Sequence, residues 1–307
     1  MTAASVAAPA KDRVAAGILL VLGAVLLLSM MDVVVKWMST GYTTVELVFW
    51  RGLFGLLPII AFIAVSGGLT VLRTKKPLVH LGRGLLNLGA LFCFFYAFSV
   101  MPLADAYAIA SSAPLFITAL SVPFLGERVG VHRWSAVVIG FFGVLIVFRP
   151  WEGTEDGGLH ILGATATLLG ALFFAFMAIS NRWLGRNDTS QAIMLYSNLV
   201  VVGTSGVAMA ILAPGLPPLA DLGLFFCAGL LGGAGVICMT HAFRIAPPSA
   251  LSPFDYTGIV WGIFFGLLLF DDWPDPYMLI GSVVIMTSGL YILYREARAV
   301  RARPEVE

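Results

Sequence analysis

Four charged side chains lie within or at the ends of two long apolar runs early in the chain: Asp32, Lys36, Glu46 and Arg51. Charge in an apolar setting is costly, so each needs a partner or a task. Opposite charges placed this way can tie two helices together; a carboxylate can also bind a cationic solute or hold a proton. Asp32 and Arg51 lie about equally far from the turn between the runs, and so do Lys36 and Glu46. At 1.5 Å per residue the first pair sits about 9–10 Å inside the run ends and the second about 3 Å inside. An antiparallel pair of helices is therefore expected to clasp Asp32 to Arg51 and Lys36 to Glu46. Ser29, Asp32 and Lys36 share one helix face. Asp32 thus also suits a substrate or proton site, and both roles hold if the pairing breaks during a working cycle.

A third carboxylate, Asp255, lies about 10 Å inside its own run by the same rise. Ser252, Gly258, Gly262 and Gly266 follow the same helix face, a spacing that suits close helix packing. With a turn at Pro247-Pro248, the hairpin partner of Asp255 is His241, and a His–Asp pair changes protonation in the physiological range. Tyr256 and Trp261 could stack a planar solute. Arg83 is expected to snorkel to the surface. Asn87, one helical turn deeper, suits a cavity wall or an interhelical hydrogen bond. Tyr107, Ser111, Pro114, Thr118 and Ser121 form a stripe that suits either close packing or a cavity wall. The binding and coupling candidates are thus Asp32, Asn87, Tyr107, Ser111, His241, Asp255, Tyr256 and Trp261. Catalytic chemistry has little support. His80, His132, His160 and His241 fall in different segments, no HExxH is present, and Cys93, Cys227 and Cys238 all sit in apolar runs that suit packing. Neither a metal nor a cofactor is expected, and no Walker A sequence occurs.

The elements that must position these residues follow from composition. Hydrophobic residues make up 59% of the 307 and charged residues 11%, far below the roughly 25% charged of a soluble domain. The apolar residues come in runs of about 20, enough to cross about 30 Å of hydrocarbon as helices, without the alternation of a membrane β-barrel. Ten spans are expected, over 14–38, 44–66, 80–100, 103–125, 131–149, 159–182, 191–213, 219–243, 248–270 and 276–294. Short connections such as Ser66-Gly67-Gly68 and Pro214-Gly215 leave no room for a soluble domain. Of the 18 Lys and Arg, all but Lys36, Arg51 and Arg149 fall on the side that holds both termini. The positive-inside rule makes that side cytoplasmic. Glu152, Glu155, Asp156, Asp271, Asp272 and Asp275 fall on the other. Residues 1–13 read as a cytoplasmic tail and 296–307 as a basic one. No basic patch interleaved with aromatics suggests nucleic acid. Membrane lipids are the expected surroundings, and both a monomer and a homodimer are compatible with the sequence.

The chain also repeats itself. Tyr96-Ala97-Phe98 to Pro102 matches His241-Ala242-Phe243 to Pro247, and the same offset pairs Glu127 with Asp272. One residue on, Gly143 matches Gly289 and Arg149 matches Arg295. The halves are 14–150 and 159–295. Five crossings each would place the second upside down relative to the first, an inverted repeat with its site near the midplane. Asp271-Asp272 stands where the first half has Gly126-Glu127, so the repeat is imperfect at that point.

At these residues the sequence resembles the drug/metabolite transporter superfamily, in its ten-helix EamA branch. The resemblance rests on Asp32 to Lys36, Glu46 to Arg51, Arg83-Gly84, Pro114-Leu115-Phe116 and Leu125-Gly126-Glu127-Arg128. Gly140 to Pro150, Ser252-Pro253-Phe254-Asp255-Tyr256, and Gly289 to Glu296 complete it. It implies an all-α integral membrane protein, two inverted five-helix repeats around a central cavity. Spans 1, 3, 4, 6, 8 and 9 would line that cavity, with spans 5 and 10 packed together. It also implies a secondary transporter of a small organic metabolite that is amino acid-, nucleoside- or vitamin-like. The pattern resembles members associated with S-adenosylmethionine or riboflavin uptake. Alternating access, driven by protons or by exchange in a bacterial inner membrane, is the expected mode. An intramembrane lipid-modifying enzyme and a signalling scaffold are the alternatives.

Overall fold

Hydrocarbon offers the backbone no hydrogen-bond partners, so apolar runs of this length satisfy themselves as helices. The computed structural model describes residues 10–74, 76–127, 129–151, 161–184, 188–212 and 215–301. Glu152, Glu155, Asp156, His160, Lys75, Arg128 and Arg186 lie outside the described residues, as do most of the first tail and the end of the second. The helices are α1 (Ala10–Met38), α2 (Thr44–Val65), α3 (Pro77–Val100), α4 (Leu103–Ala110), α5 (Ala113–Leu125), α6 (Val131–Phe148) and α7 (Ile161–Leu184). They continue with α8 (Ser190–Leu212), α9 (Leu219–Ile245), α10 (Pro248–Leu251), α11 (Thr257–Phe270) and α12 (Pro276–Arg301). A 3₁₀ turn covers Gly68–Leu72 and another Ser252–Tyr256. Ten stretches are long and apolar enough to cross a membrane; α4 and α5 share the fourth, and Ser252–Phe270 is the ninth. Helix α1 begins at Ala10 and α12 runs on to Arg301, so helix extends into both expected tails.

Alternate crossing divides the connections between two ends of the bundle. At the terminal end, which holds the start of α1 and the finish of α12, Thr189 and Tyr196 donate to the carbonyls of Val71 and Leu72. At the far end, Tyr42 donates to Asp221 and Arg149 to Asp275.

The fourth and ninth spans are the broken ones, and they correspond in the repeat. Pro114 has no N–H, and its ring crowds the carbonyl of Ala110; α4 stops there and α5 restarts after Ser111-Ser112. Pro253 interrupts the ninth span within the 3₁₀ turn. Both spans finish alike. Gly126 (φ 67°) and Asp271 (φ 54°) are both left-handed. The next N–H closes back in each case: Glu127 to Ser121 (3.3 Å) and Asp272 to Gly266 (3.0 Å). The repeat that is imperfect in residue type at this point is the same in backbone.

Span packing has the same symmetry. Spans 1 with 8 and 3 with 6, 2 with 8 and 3 with 7, and 4 with 6 and 1 with 9 pack together. Spans 2 with 7, 4 with 9 and 5 with 10 also pack. Exchanging each of the first five spans for the one five later converts every pair into another of the set or into itself. These pairs are consistent with an inverted repeat. Small residues allow close approach where lipid gives no hydrophobic drive. A Cβ on Gly143 would sit 3.0 Å from the Gly281 carbonyl, and one on Gly281 2.7 Å from that of Gly143, fixing span 5 against span 10.

Candidate functional site

The polar residues of span 1 meet span 4 in the bundle interior. Tyr107 leaves α4 one turn before the break, and its hydroxyl donates to Asp32 Oδ2 at 2.5 Å. The Tyr107 hydroxyl oxygen also lies 3.1 Å from Ser29 Oγ. Asp32 and Ser29 are buried. The ring of Tyr107 reaches across to span 9: a Cβ on Gly262 would come within 2.9 Å of it and one on Gly258 within 3.1 Å. The glycine stripe of span 9 is therefore a bed for the Tyr107 ring. Phe98 stacks on its other side at 6.2 Å. One side chain thus joins a carboxylate of the first half to a helix of the second.

Arg51 is buried and lies within electrostatic reach of Asp32, but no direct ion pair joins them. Its Nε donates to Met31 Sδ at 3.2 Å. The expected pair of Lys36 with Glu46 is not formed. Glu46 is the third residue of its helix and closes a capping box, accepting from the Thr43 backbone N–H and hydroxyl, each at 2.8 Å. Donors that close in sequence outcompete a lysine on another helix for the Glu46 carboxylate. Lys36 instead reaches Asp272 Oδ2 at 3.1 Å and donates to the Met101 carbonyl at 2.9 Å.

The other candidates do not converge on Asp32. Ser111 donates to the Tyr107 carbonyl at 2.7 Å, so its hydroxyl serves its own helix. Asn87 is half-buried and makes no hydrogen bond among the described residues. His241 and Asp255 are both exposed, and no hydrogen bond joins them. The 3₁₀ turn changes the helical register on which that pairing was based. Tyr256 is buried against Gly289 with its hydroxyl unpartnered. Trp261 stacks on Phe265 at 5.9 Å. Arg83 does not snorkel to the surface; it donates to the Met177 carbonyl on α7 at 2.9 Å.

Three groups escaped the sequence reading. Asn198 is buried and donates to the Gly52 carbonyl at 2.9 Å, joining spans 7 and 2. His80 meets Asp188 at 3.3 Å and forms the His–Asp contact that was expected elsewhere. Asp105, in the first turn of α4, is buried within reach of Lys36, Arg149, Asp272 and Asp275. The signal for the last lay in the far-end acids, which needed Lys36 and Arg149 as partners. Lys36 sits one helical turn above Asp32 and borders a far-end cleft of about 280 Å³, lined also by Trp37, Phe98, Ser99 and Phe270.

The pattern of the EamA-like transporter family matches this sequence twice, over residues 15–149 and 161–294. An S-adenosylmethionine uptake transporter of Rickettsia bellii is 30% identical over 88% of this chain and 90% of its own. A riboflavin transporter of Rhizobium johnstonii is 28% identical over 94% and 95%. A pseudopaline exporter of Pseudomonas aeruginosa is 28% identical over 90% and 95%. One solved crystal structure, 21% identical, superposes with a TM-score of 0.62 over 92% of this chain and 99% of that one.

Proposed function

This chain belongs to the EamA-like transporter family, and on that premise we propose that it carries a small organic metabolite across the bilayer by alternating access of its two halves. It is a multi-pass membrane protein, and its family and named relatives are transporters, not enzymes. The reading is carried by Tyr107. Its hydroxyl holds the Asp32 carboxylate of span 1 while its ring lies on the glycines of span 9. A solute that competes for Asp32 releases Tyr107, and with it the contact between the halves. Binding and relative motion are thereby linked through one side chain.

We take the substrate to be amino acid-, nucleoside- or vitamin-like. Two of the relatives are named for S-adenosylmethionine and riboflavin, which share a planar heteroaromatic ring. Of the candidate residues, Asp32 and Tyr107 form the centre of the proposed site. A carboxylate at Asp32 serves proton coupling or exchange. On the positive-inside argument both termini lie in the cytoplasm. Purified protein in liposomes should accumulate labelled S-adenosylmethionine or riboflavin above protein-free controls, with saturation and with counterflow against unlabelled solute. A folded preparation that moves neither these nor any amino acid or nucleoside tested would overturn the proposal.

A further inference from the structure

Two cations of the first half end in one short segment of the second. Lys36, on α1, pairs with Asp272 at 3.1 Å; Arg149, just past α6, pairs with Asp275 at 2.9 Å. Each also lies 5.1 Å from the centre of a second-half ring, Lys36 over Phe270 and Arg149 over Tyr277. The segment 271–275 is fixed to its own helices. The Asp272 N–H closes α11 on Gly266, and Asp275 Oδ1 caps α12 by accepting from Tyr277 N at 2.7 Å. It therefore moves with α11 and α12 as one strap. A motion that parts α1 from the strap at the far end must break the Lys36–Asp272 pair, whereas Arg149–Asp275 lies beside the close-packed spans 5 and 10.

Broken alone, the Lys36–Asp272 pair would leave a largely buried cation without its counter-ion, which is strongly unfavourable. Asp105 is the group that answers this. It belongs to the first half, as Lys36 does. It is 8% exposed and accepts no hydrogen bond among the described residues. It sits in the first turn of α4, directly after the Met101 carbonyl that already holds the Lys36 amine. We propose that Asp105 is the exchange carboxylate of an ionic gate at the far end. When the strap opens, Asp105 takes over Lys36 from Asp272, so one carboxylate replaces another and that cation is not stranded. This rests on alternating access as proposed above.

The test reads accessibility and needs no substrate. In protein with Cys93, Cys227 and Cys238 replaced by Ser, a single Ser29→Cys reports opening to a membrane-impermeant maleimide. The reagent is added from the face away from a C-terminal tag. Adding Asp105→Asn should slow far-side labelling by at least about tenfold, the effect of roughly 1.4 kcal/mol on the opening equilibrium. Labelling from the terminal side should persist, and Asp105→Glu should restore the far-side rate. Lys36→Met with Asp272→Leu, which removes one bolt, should speed far-side labelling. If Asp105→Asn does not fold, the pair Lys36→Met with Asp105→Asn decides, because one fewer cation needs a partner; it should label at close to the starting rate. Unchanged far-side labelling in Asp105→Asn, labelling of that deciding pair slowed as much as expected for Asp105→Asn alone, or no far-side labelling in the starting protein would overturn the gate. Solute uptake is measured separately, so failure of the gate and failure of the transport proposal give different results.

Discussion

Asp32 and Tyr107 act as one unit at the residue scale, because the short hydrogen bond between them leaves neither group its other options. Asp32→Asn and Tyr107→Phe should each lower the initial uptake rate by about tenfold or more, and the double mutant should be no worse than the weaker single. Such non-additivity is expected of groups that share one interaction; independent, additive losses would separate them. Tyr42 gives a second test outside the spans. Donation to the Asp221 carboxylate, with partial burial, pushes its phenol up to about 12. A raised phenol favours the protonated folded state. The bond's contribution to stability should therefore be complete below about pH 10, the usual phenol value, and vanish as pH rises through about 12. Ultraviolet titration of wild type against Tyr42→Phe should show one phenol missing from the late part of the curve; loss of an early-titrating phenol would contradict this.

The broken spans decide matters at the scale of elements. Gly126 and Asp271 end spans 4 and 9 with the same left-handed residue and the same closing bond. Gly126→Ala puts a Cβ into that conformation and should cost about 1 kcal/mol in thermal stability in detergent, whereas Asp271→Gly should be neutral or slightly stabilising. The opposite order would mean that the two ends are not equivalent. The sequence reading took spans 4 and 9 as unbroken, although Pro114 and Pro253 mark the breaks; it did carry the glycine stripe of span 9. It did not show that the stripe receives Tyr107. Spacing fixes which residues share a face, but not which neighbouring helix meets that face.

Topology is the test for the whole molecule. Thr40 and Thr70 are exposed at opposite ends of the bundle. In intact cells, Thr40→Cys in the cysteine-free background should react with an impermeant thiol reagent, and Thr70→Cys should react only after the membrane is opened. The reverse pattern would overturn the orientation drawn from the charges.

The sequence alone determined the class of the molecule. Apolar runs of membrane length, separated by short turns, leave no alternative to a helical bundle, because unpaired backbone is untenable in hydrocarbon. It also marked Asp32 and Tyr107, since a carboxylate and a phenol within such runs need partners. Only the tertiary structure decided who those partners are. Equal depth in a hairpin placed Lys36 opposite Glu46. Its choice of Asp272 over Glu46 depended on two facts that equal depth does not carry. Glu46 was already held by Thr43 in its own first turn, and the packing of span 1 beside span 9 brought Asp272 within 3.1 Å of the Lys36 amine. Charge pairing in a low dielectric is settled by contact distance and by competing local hydrogen bonds, and both are products of the assembled bundle.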